Sequence, residues 1–371
     1  MLTTKTREGT TGLIVPDISH YGKSSQFPPS EAPVFYNPVM EFSRTVSVCF
    51  LKGVGAKGSL CDALAASGAR GLRYANEVGG LRLTFFDRNP QAVALIKRNL
   101  RSLKIKAEVQ RGDTNSLLSG RHWDIVDIDP FGTPVPFLDS CARASEKVGM
   151  VTATDTANLC GVYPKACLRL YGCKPFRSDF VHEAGVRILL GKIASTYAQH
   201  EKAVYPILTQ SSQHYFRAFF DIRRGAKRAD DTLKNIGYIL YCPKCLSREV
   251  SLVPDKKCPC GKRYLAYGPL WARELFNQPM CKKMIAPAKA YGKQYEQFFA
   301  TVAEEAGINC PYYNYHKLNS KMTSSPPKFD LFLDALRKKG YAAAKSHMDK
   351  EPTFRTDAPV KRIKVVLKSL S

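Results

Sequence analysis

Two groups of residues in this 371-residue chain have the types and spacing of chemical sites. The first is Asp129-Pro130-Phe131-Gly132, directly after the strand-like run Ile125–Ile128. Proline fixes the backbone, so the carbonyls of its neighbours point one way. A carboxylate placed there can accept hydrogen bonds from an exocyclic amine, localise its ring-delocalised lone pair and finally take its proton. Phe131 offers a flat apolar face to a base displaced from its stack. This reading makes Asp129 the proton acceptor, with Pro130 and Phe131 shaping the catalytic turn; a plain Asp-Pro turn is the competing account of the tetrapeptide alone.

The second group is Cys242-Pro243-Lys244-Cys245 followed, after twelve intervening residues, by Cys258-Pro259-Cys260. Four thiolates can close a tetrahedral zinc site, and a closed site without a water position is structural. A zinc knuckle over residues 242–260 is therefore expected to hold a module together and not to do chemistry. Reduced cysteines without metal and a disulfide are the alternatives that the residues leave open.

Both groups need elements to position them. From residue 59 short β runs alternate with helical stretches: Ser59–Leu64, a helix from Gly68, Leu81–Phe86, a helix from Pro90, Ile105–Val109, Ile125–Ile128 and Val148–Ala153. This pattern is a doubly wound α/β sheet. Ala203–Leu208 and Tyr215–Ile222 are spaced to add an antiparallel hairpin to it. In such a sheet, ligands sit beyond the carboxyl ends of the strands where strand order reverses. Four segments end there. The turn Cys61 to Gly71 is rich in small residues that let backbone amides approach a ligand. Asp87, after Phe85-Phe86, can accept from both hydroxyls of a ribose, although a helix cap before Pro90 would explain it too. Asp113-Thr114 suits an adenine, or an ordinary turn. The fourth segment carries Asp129. A literal G-x-G-x-x-G, Gly53 to Gly58, precedes its strand and opens no helix, so a nicotinamide site is rejected.

Charge narrows the partner. The 56 Lys and Arg against 32 Asp and Glu leave +24, which points to a polyanion. Up to residue 222 there are 27 basic and 19 acidic residues; the remainder has 29 and 13, so the excess lies C-terminally. There, Lys282, Lys283, Lys289 and Lys293 interleave with Tyr291 and Tyr295, and Tyr312, Tyr313 and Tyr315 precede Lys317 and Lys321, a combination able to neutralise phosphates and stack on bases. No apolar run is long enough for a membrane span and the start lacks the apolar centre of a signal peptide, so a cytoplasmic protein with no evident obligate protein partner is expected. The division expected is an extended arm at 1–33, in which Ile14-Val15 can pair at an edge, a catalytic domain at 34–225, and a smaller, basic α+β domain at 226–371. His182, Glu183 and Arg187 read as a solvated helix face, and Lys361 to Lys368 as an edge strand.

The chain resembles the tRNA guanine-26 N2-dimethyltransferase family of S-adenosylmethionine-dependent enzymes. The resemblance rests on Phe35-Tyr36-Asn37-Pro38 leading to Arg44, on Asp62 to Gly71, on Asp129 to Gly132, on Gly268-Pro269-Leu270-Trp271, and on Pro311-Tyr312-Tyr313, His316, His347 and Thr356-Asp357-Ala358. It implies a Rossmann-like seven-stranded methyltransferase sheet. It also implies that Arg44, Arg70, Asp87, Asp113 and Thr114 contact S-adenosylmethionine, that Phe35 and Phe131 hold a guanine, and that the product is N2,N2-dimethylguanosine in tRNA. Methylation of another guanosine in tRNA or rRNA, and non-catalytic RNA binding on the same fold, are the alternatives. Where the family has Asn-Arg-Asp, this chain has Ser43-Arg44-Thr45.

Overall fold

The computed structural model describes residues 1–21, 32–212, 214–320 and 326–370, and each expected strand has a counterpart in it, the third shifted from Ile105–Val109 to Glu108–Arg111. A separate hairpin comes first, β1 (Thr3–Glu8) against β2 (Thr11–Pro16). The main sheet consists of β3 (Gly58–Asp62), β4 (Leu81–Asp87), β5 (Glu108–Arg111), β6 (Trp123–Ile128), β7 (Ser145–Ala153), β8 (Lys202–Ser212) and β9 (Tyr215–Arg224). Their order is β5-β4-β3-β6-β7-β9-β8. The strands from β3 to β7 pair in parallel where they are neighbours, and β8 and β9 pair antiparallel. Strand order therefore reverses between β3 and β6, and Asp62 and Asp127 are Cα partners at that reversal. The Gly53–Gly58 segment joins a helix end to the start of β3, as its rejected reading required.

The helices follow local chemistry. Asn89 caps the helix Pro90–Leu103 by accepting from Gln91 N at 2.9 Å, and Pro90 opens it. Its Ala92, Leu95, Ile96 and Asn99 recur at helical spacing and are buried. Ala92 and Leu95 pack with Ile14 and Val34, while Asn99 accepts from Ile14 N at 2.7 Å and donates to Ile14 O at 2.8 Å. The arm is thus a docked hairpin over its first part, and residues 22–31 of that expected segment lie outside the described residues.

By packing, the chain forms two compact units interleaved in sequence. One comprises Met1–Pro130, Pro136–Val151 and Lys282–Phe299; the other comprises Phe131–Val135, Thr152–Cys281 and Ala300–Ser371. The second unit carries two three-stranded sheets. Ile236–Tyr241 lies between Arg248–Ser251 and Leu265–Trp271, and Thr353–Thr356 lies between Tyr313–Asn314 and Ala343–Lys345.

Two expectations are corrected here. Glu183 and Arg187 are buried on the helix Val181–Ala198, not solvated. They belong to a fully packed ion cluster: Glu183 pairs with Arg187 at 2.8 Å and with Arg355 at 3.0 Å, and Arg355 pairs with Glu305 at 2.6 Å. Helical spacing brings Glu183 and Arg187 together, but only tertiary packing buries them. The tail is the helix Val360–Leu370 and not a strand, because Ile363, Val366 and Leu367 fall on one buried face with the lysines around it.

Candidate active site

Asp129 stands one residue beyond β6, and Arg70, on the first turn of the helix Ala69–Glu77, reaches it. Arg70 Nε and Nη2 both donate to Asp129 Oδ2, at 3.0 and 2.6 Å, and Nη1 donates to Ser47 Oγ at 3.1 Å. Burial opposes the charge on Arg70, but Asp129 beside it holds the guanidinium charged, above its ordinary range. The fork fixes the carboxylate's orientation.

The turn between β3 and this helix is tightly determined. Ala66 and Gly68 take positive φ (47° and 76°), and Ala66 N donates to Asp87 Oδ2 at 2.7 Å. Asp87 Oδ1 accepts from Asn89 N at 2.8 Å, so this carboxylate holds the turn and the next helix start together. Gly71 N donates to buried Asp62 at 2.9 Å, and a Cβ on Gly71 would collide with the Phe85 ring. Thr114, buried, donates to Ala63 O at 2.7 Å, and Asp113 caps its short helix by accepting from Ser116 N at 3.0 Å. Arg70, Asp87, Asp113, Thr114 and Asp129 therefore all lie on segments that follow the carboxyl ends of β3, β4, β5 and β6.

Arg44 is held elsewhere in the same unit. Its Nε and Nη2 fork onto Glu8 at 2.7 and 2.5 Å, and Nη2 also reaches Asn37 O at 2.9 Å. Tyr36 donates its hydroxyl to Glu8 at 2.6 Å and lies under the guanidinium. Glu8 thus supplies the anchoring that the Ser43-Arg44-Thr45 triplet lacks, while Ser43 faces Arg70 and Thr45 accepts from Arg73 at 2.8 Å. Sequence reading missed Glu8 because nothing local links a hairpin residue to an arginine 36 positions on. Phe35, half-buried, adjoins Tyr36 in this stretch.

Phe131 belongs to the other unit and, at 71%, is the most exposed large hydrophobic among the described residues. Its loop is pinned on the far side of Gly132, whose φ of +76° favours glycine. Gly132 N donates to Thr154 Oγ1 at 2.6 Å, and Thr154 N returns a bond to Gly132 O at 2.9 Å. Thr133 bonds the Tyr171 hydroxyl at 2.9 Å, which donates to Asp155 at 2.8 Å.

Cys242, Cys245, Cys258 and Cys260 converge, with all four sulfurs within 4.8 Å of one another despite the short Cys-x-Cys pair. Cys242 and Cys260 sulfurs are 3.5 Å apart and Cys245 and Cys258 sulfurs 3.4 Å. These separations are far beyond a disulfide bond and fit four thiolates around one ion. All twelve cysteines are free of disulfides. Backbone donation at Lys262 leads in drawing the Cys260 thiol down to about 7, and deprotonated thiols are what a metal binds.

The expected aromatic face of the C-terminal part is mostly core. Tyr295, Tyr312, Tyr313 and Tyr315 are buried, and the Tyr291 hydroxyl donates to Glu77 at 2.7 Å. Lys282, Lys283, Lys289 and Lys293 are exposed, and Lys321 lies outside the described residues.

A family model described as "TRM: N2,N2-dimethylguanosine tRNA methyltransferase" matches residues 11–368. The chain belongs to this family. Relatives named tRNA (guanine(26)-N(2))-dimethyltransferase include those of Methanothermobacter thermautotrophicus, 38% identical with 98% of each chain covered, and Methanobrevibacter smithii, 37% identical over 92% of this chain and 93% of that one. Trm1 from Pyrococcus horikoshii, solved in complex with S-adenosyl-L-methionine, superposes with a TM-score of 0.85 at 31% identity, covering 98% of this chain and 99% of that one.

Proposed function

We propose that this chain methylates the exocyclic N2 of guanosine 26 in tRNA, forming N2,N2-dimethylguanosine, the reaction for which its relatives are named. The observation that carries this reading is the Arg70–Asp129 pair at the reversal of strand order, where a fixed carboxylate meets the turn that would cradle the cofactor. S-adenosylmethionine supplies the electrophilic sulfonium methyl. Arg44, already forked onto Glu8, and Arg70, already forked onto Asp129, would share those guanidinium groups with its carboxylate, while Asp87 suits its ribose and Asp113 with Thr114 its adenine. The family pattern assigns Phe35 and Phe131 to the guanine, and Asp129 accepts from the N2 amine and removes its proton as the methyl arrives.

Zinc on Cys242, Cys245, Cys258 and Cys260 is structural in this scheme; its support is the convergence of four sulfurs. In this reading residues 34–225 carry the reaction and the basic residues 226–371 grip tRNA, although the compact units interleave across that division, with Lys282–Phe299 in the first and Phe131–Val135 and Thr152–Cys281 in the second. No helix among the described residues is long and apolar enough to cross a membrane, and tRNA as substrate supports a cytoplasmic place of work.

The test is to incubate an unmodified tRNA transcript with enzyme and S-adenosylmethionine and to map the modified nucleoside and its methyl number. Dimethylated guanosine at position 26 is expected from the wild type. Asp129→Ala should lose at least about a thousandfold in turnover, comparable to deleting a group that serves both as base and as electrostatic stabiliser, while its affinity for cofactor and tRNA stays within a few-fold. Retained turnover removes Asp129 from the reaction.

A further inference from the structure

The segment after β7 forms a surface with the composition for RNA that the C-terminal tyrosines lack. The helix Pro164–Tyr171 opens on Pro164 and ends at Gly172, which takes a left-handed conformation (φ 73°). Cys167 and Tyr171, four residues apart, turn inward and are buried. Lys165, Leu168 and Arg169 face solvent, next to exposed Val162 and Tyr163, the latter 60% exposed. From residue 156 to 177 the chain has four basic residues, Lys165, Arg169, Lys174 and Arg177, and no acidic one. Among the described residues none of these four side chains is in an ion pair.

We propose that this face is a docking surface for the RNA strand beside the target nucleotide, with Tyr163 stacking on a base and Lys165 and Arg169 meeting phosphates. The charge balance favours a polyanion, and an exposed tyrosine beside cations suits unstacked RNA better than a regular duplex. The attachment fixes which part of the RNA it meets. Tyr171, from the buried side of the helix, bonds Thr133, and Thr154 bonds Gly132 in both directions. These bonds tie the helix to the loop that carries Phe131, so a base against Phe131 directs its neighbours toward this surface. The proposal rests on Phe131 facing the target base.

The test measures binding of an unmodified tRNA transcript to the full-length protein at several salt concentrations, with S-adenosylmethionine affinity as the control for folding. Lys165→Ala/Arg169→Ala should weaken tRNA binding about tenfold or more and lower the slope of log affinity against log salt by between one and two. Tyr163→Ala should weaken binding roughly five- to a hundredfold with the slope unchanged. Cofactor affinity should not move in either variant. Wild-type affinity and slope in both variants overturn the proposal, as does loss of self-association without loss of tRNA binding, which would give the face to a second copy. Asp129→Ala run in parallel separates the two readings. If it still transfers methyl groups, the reaction-centre assignment fails, while the surface stands or falls on the binding data.

Discussion

Asp62 and Asp127 are register partners at the carboxyl ends of β3 and β6, so two carboxylates share one side of the reversal point. Asp127 accepts from the Tyr74 hydroxyl at 2.7 Å and Asp62 from Gly71 N at 2.9 Å. Burial, then the charge of Asp127, pushes Asp62 up to about 7, with Arg70 opposing. A folded carboxyl raised above its unfolded value binds more protons than the unfolded chain, so its contribution is most favourable below pH 4 and worsens as pH rises to about 7. The cost above pH 7 is on the order of 4 kcal/mol. Asp62→Asn keeps an acceptor for Gly71 N and removes the titration. Its melting temperature should therefore gain on the wild type steadily between pH 5 and 7.5, as read by thermal unfolding at fixed ionic strength. Parallel curves would show that Asp62 holds no proton at neutral pH.

At the scale of elements, the buried ions of the second unit act as a joint. Glu183 on its long helix, Glu305 at the end of the helix Lys293–Glu305 and Arg355 on its strand meet with Arg187 and His347. Burial alone would raise Glu305, yet His347 and Arg355 together hold it down to about 2. Here the folded value lies below the unfolded one, so the stabilisation is present above about pH 4.5 and is lost as pH falls towards 2. Removing one partner strands the others without solvent. Glu305→Gln should cost about 3 to 5 kcal/mol in chemical denaturation at pH 7, and the deficit should shrink when both proteins are measured at pH 3. Unchanged stability at pH 7 would mean that the cluster relaxes around a neutral side chain. The sequence shows Glu183 and Arg187 four apart, but the remaining partners come from more than a hundred residues away, beyond any periodicity.

At the scale of the whole molecule, the +24 charge and the cysteine module set the remaining expectation. The sheet that carries Cys242 is three short strands over a small apolar cluster of Leu240, Cys242, Cys258 and Tyr264. A core this small gives the four sulfurs, all within 4.8 Å of one another, little support of its own, so a bound ion would add to the stability of the module. Purified protein should contain about one zinc per chain by elemental analysis, and chelation should lower its melting temperature and expose thiols to a colorimetric reagent. Fully folded protein free of metal would assign the cluster to reduced cysteines.

The order of strands and helices, the placement of Asp87, Asp113 and Asp129 at strand ends, and the cysteine pairs were all readable from residue spacing. Each depends on interactions within a few residues or on a rule of sheet topology. The identity of what supports those residues was not. Glu8 under Arg44, Tyr171 behind the Phe131 loop, and the core positions of Tyr312, Tyr313 and Tyr315 are decided by which distant surfaces pack together. The tail shows the boundary between the two sources of information. Its alternation of lysines and apolar residues satisfied a strand and a helix almost equally, and burial of Ile363, Val366 and Leu367 on one face made it a helix. Hydrophobic period and local turns are encoded along the chain, whereas burial of charge and exposure of an aromatic ring exist only once the chain has packed.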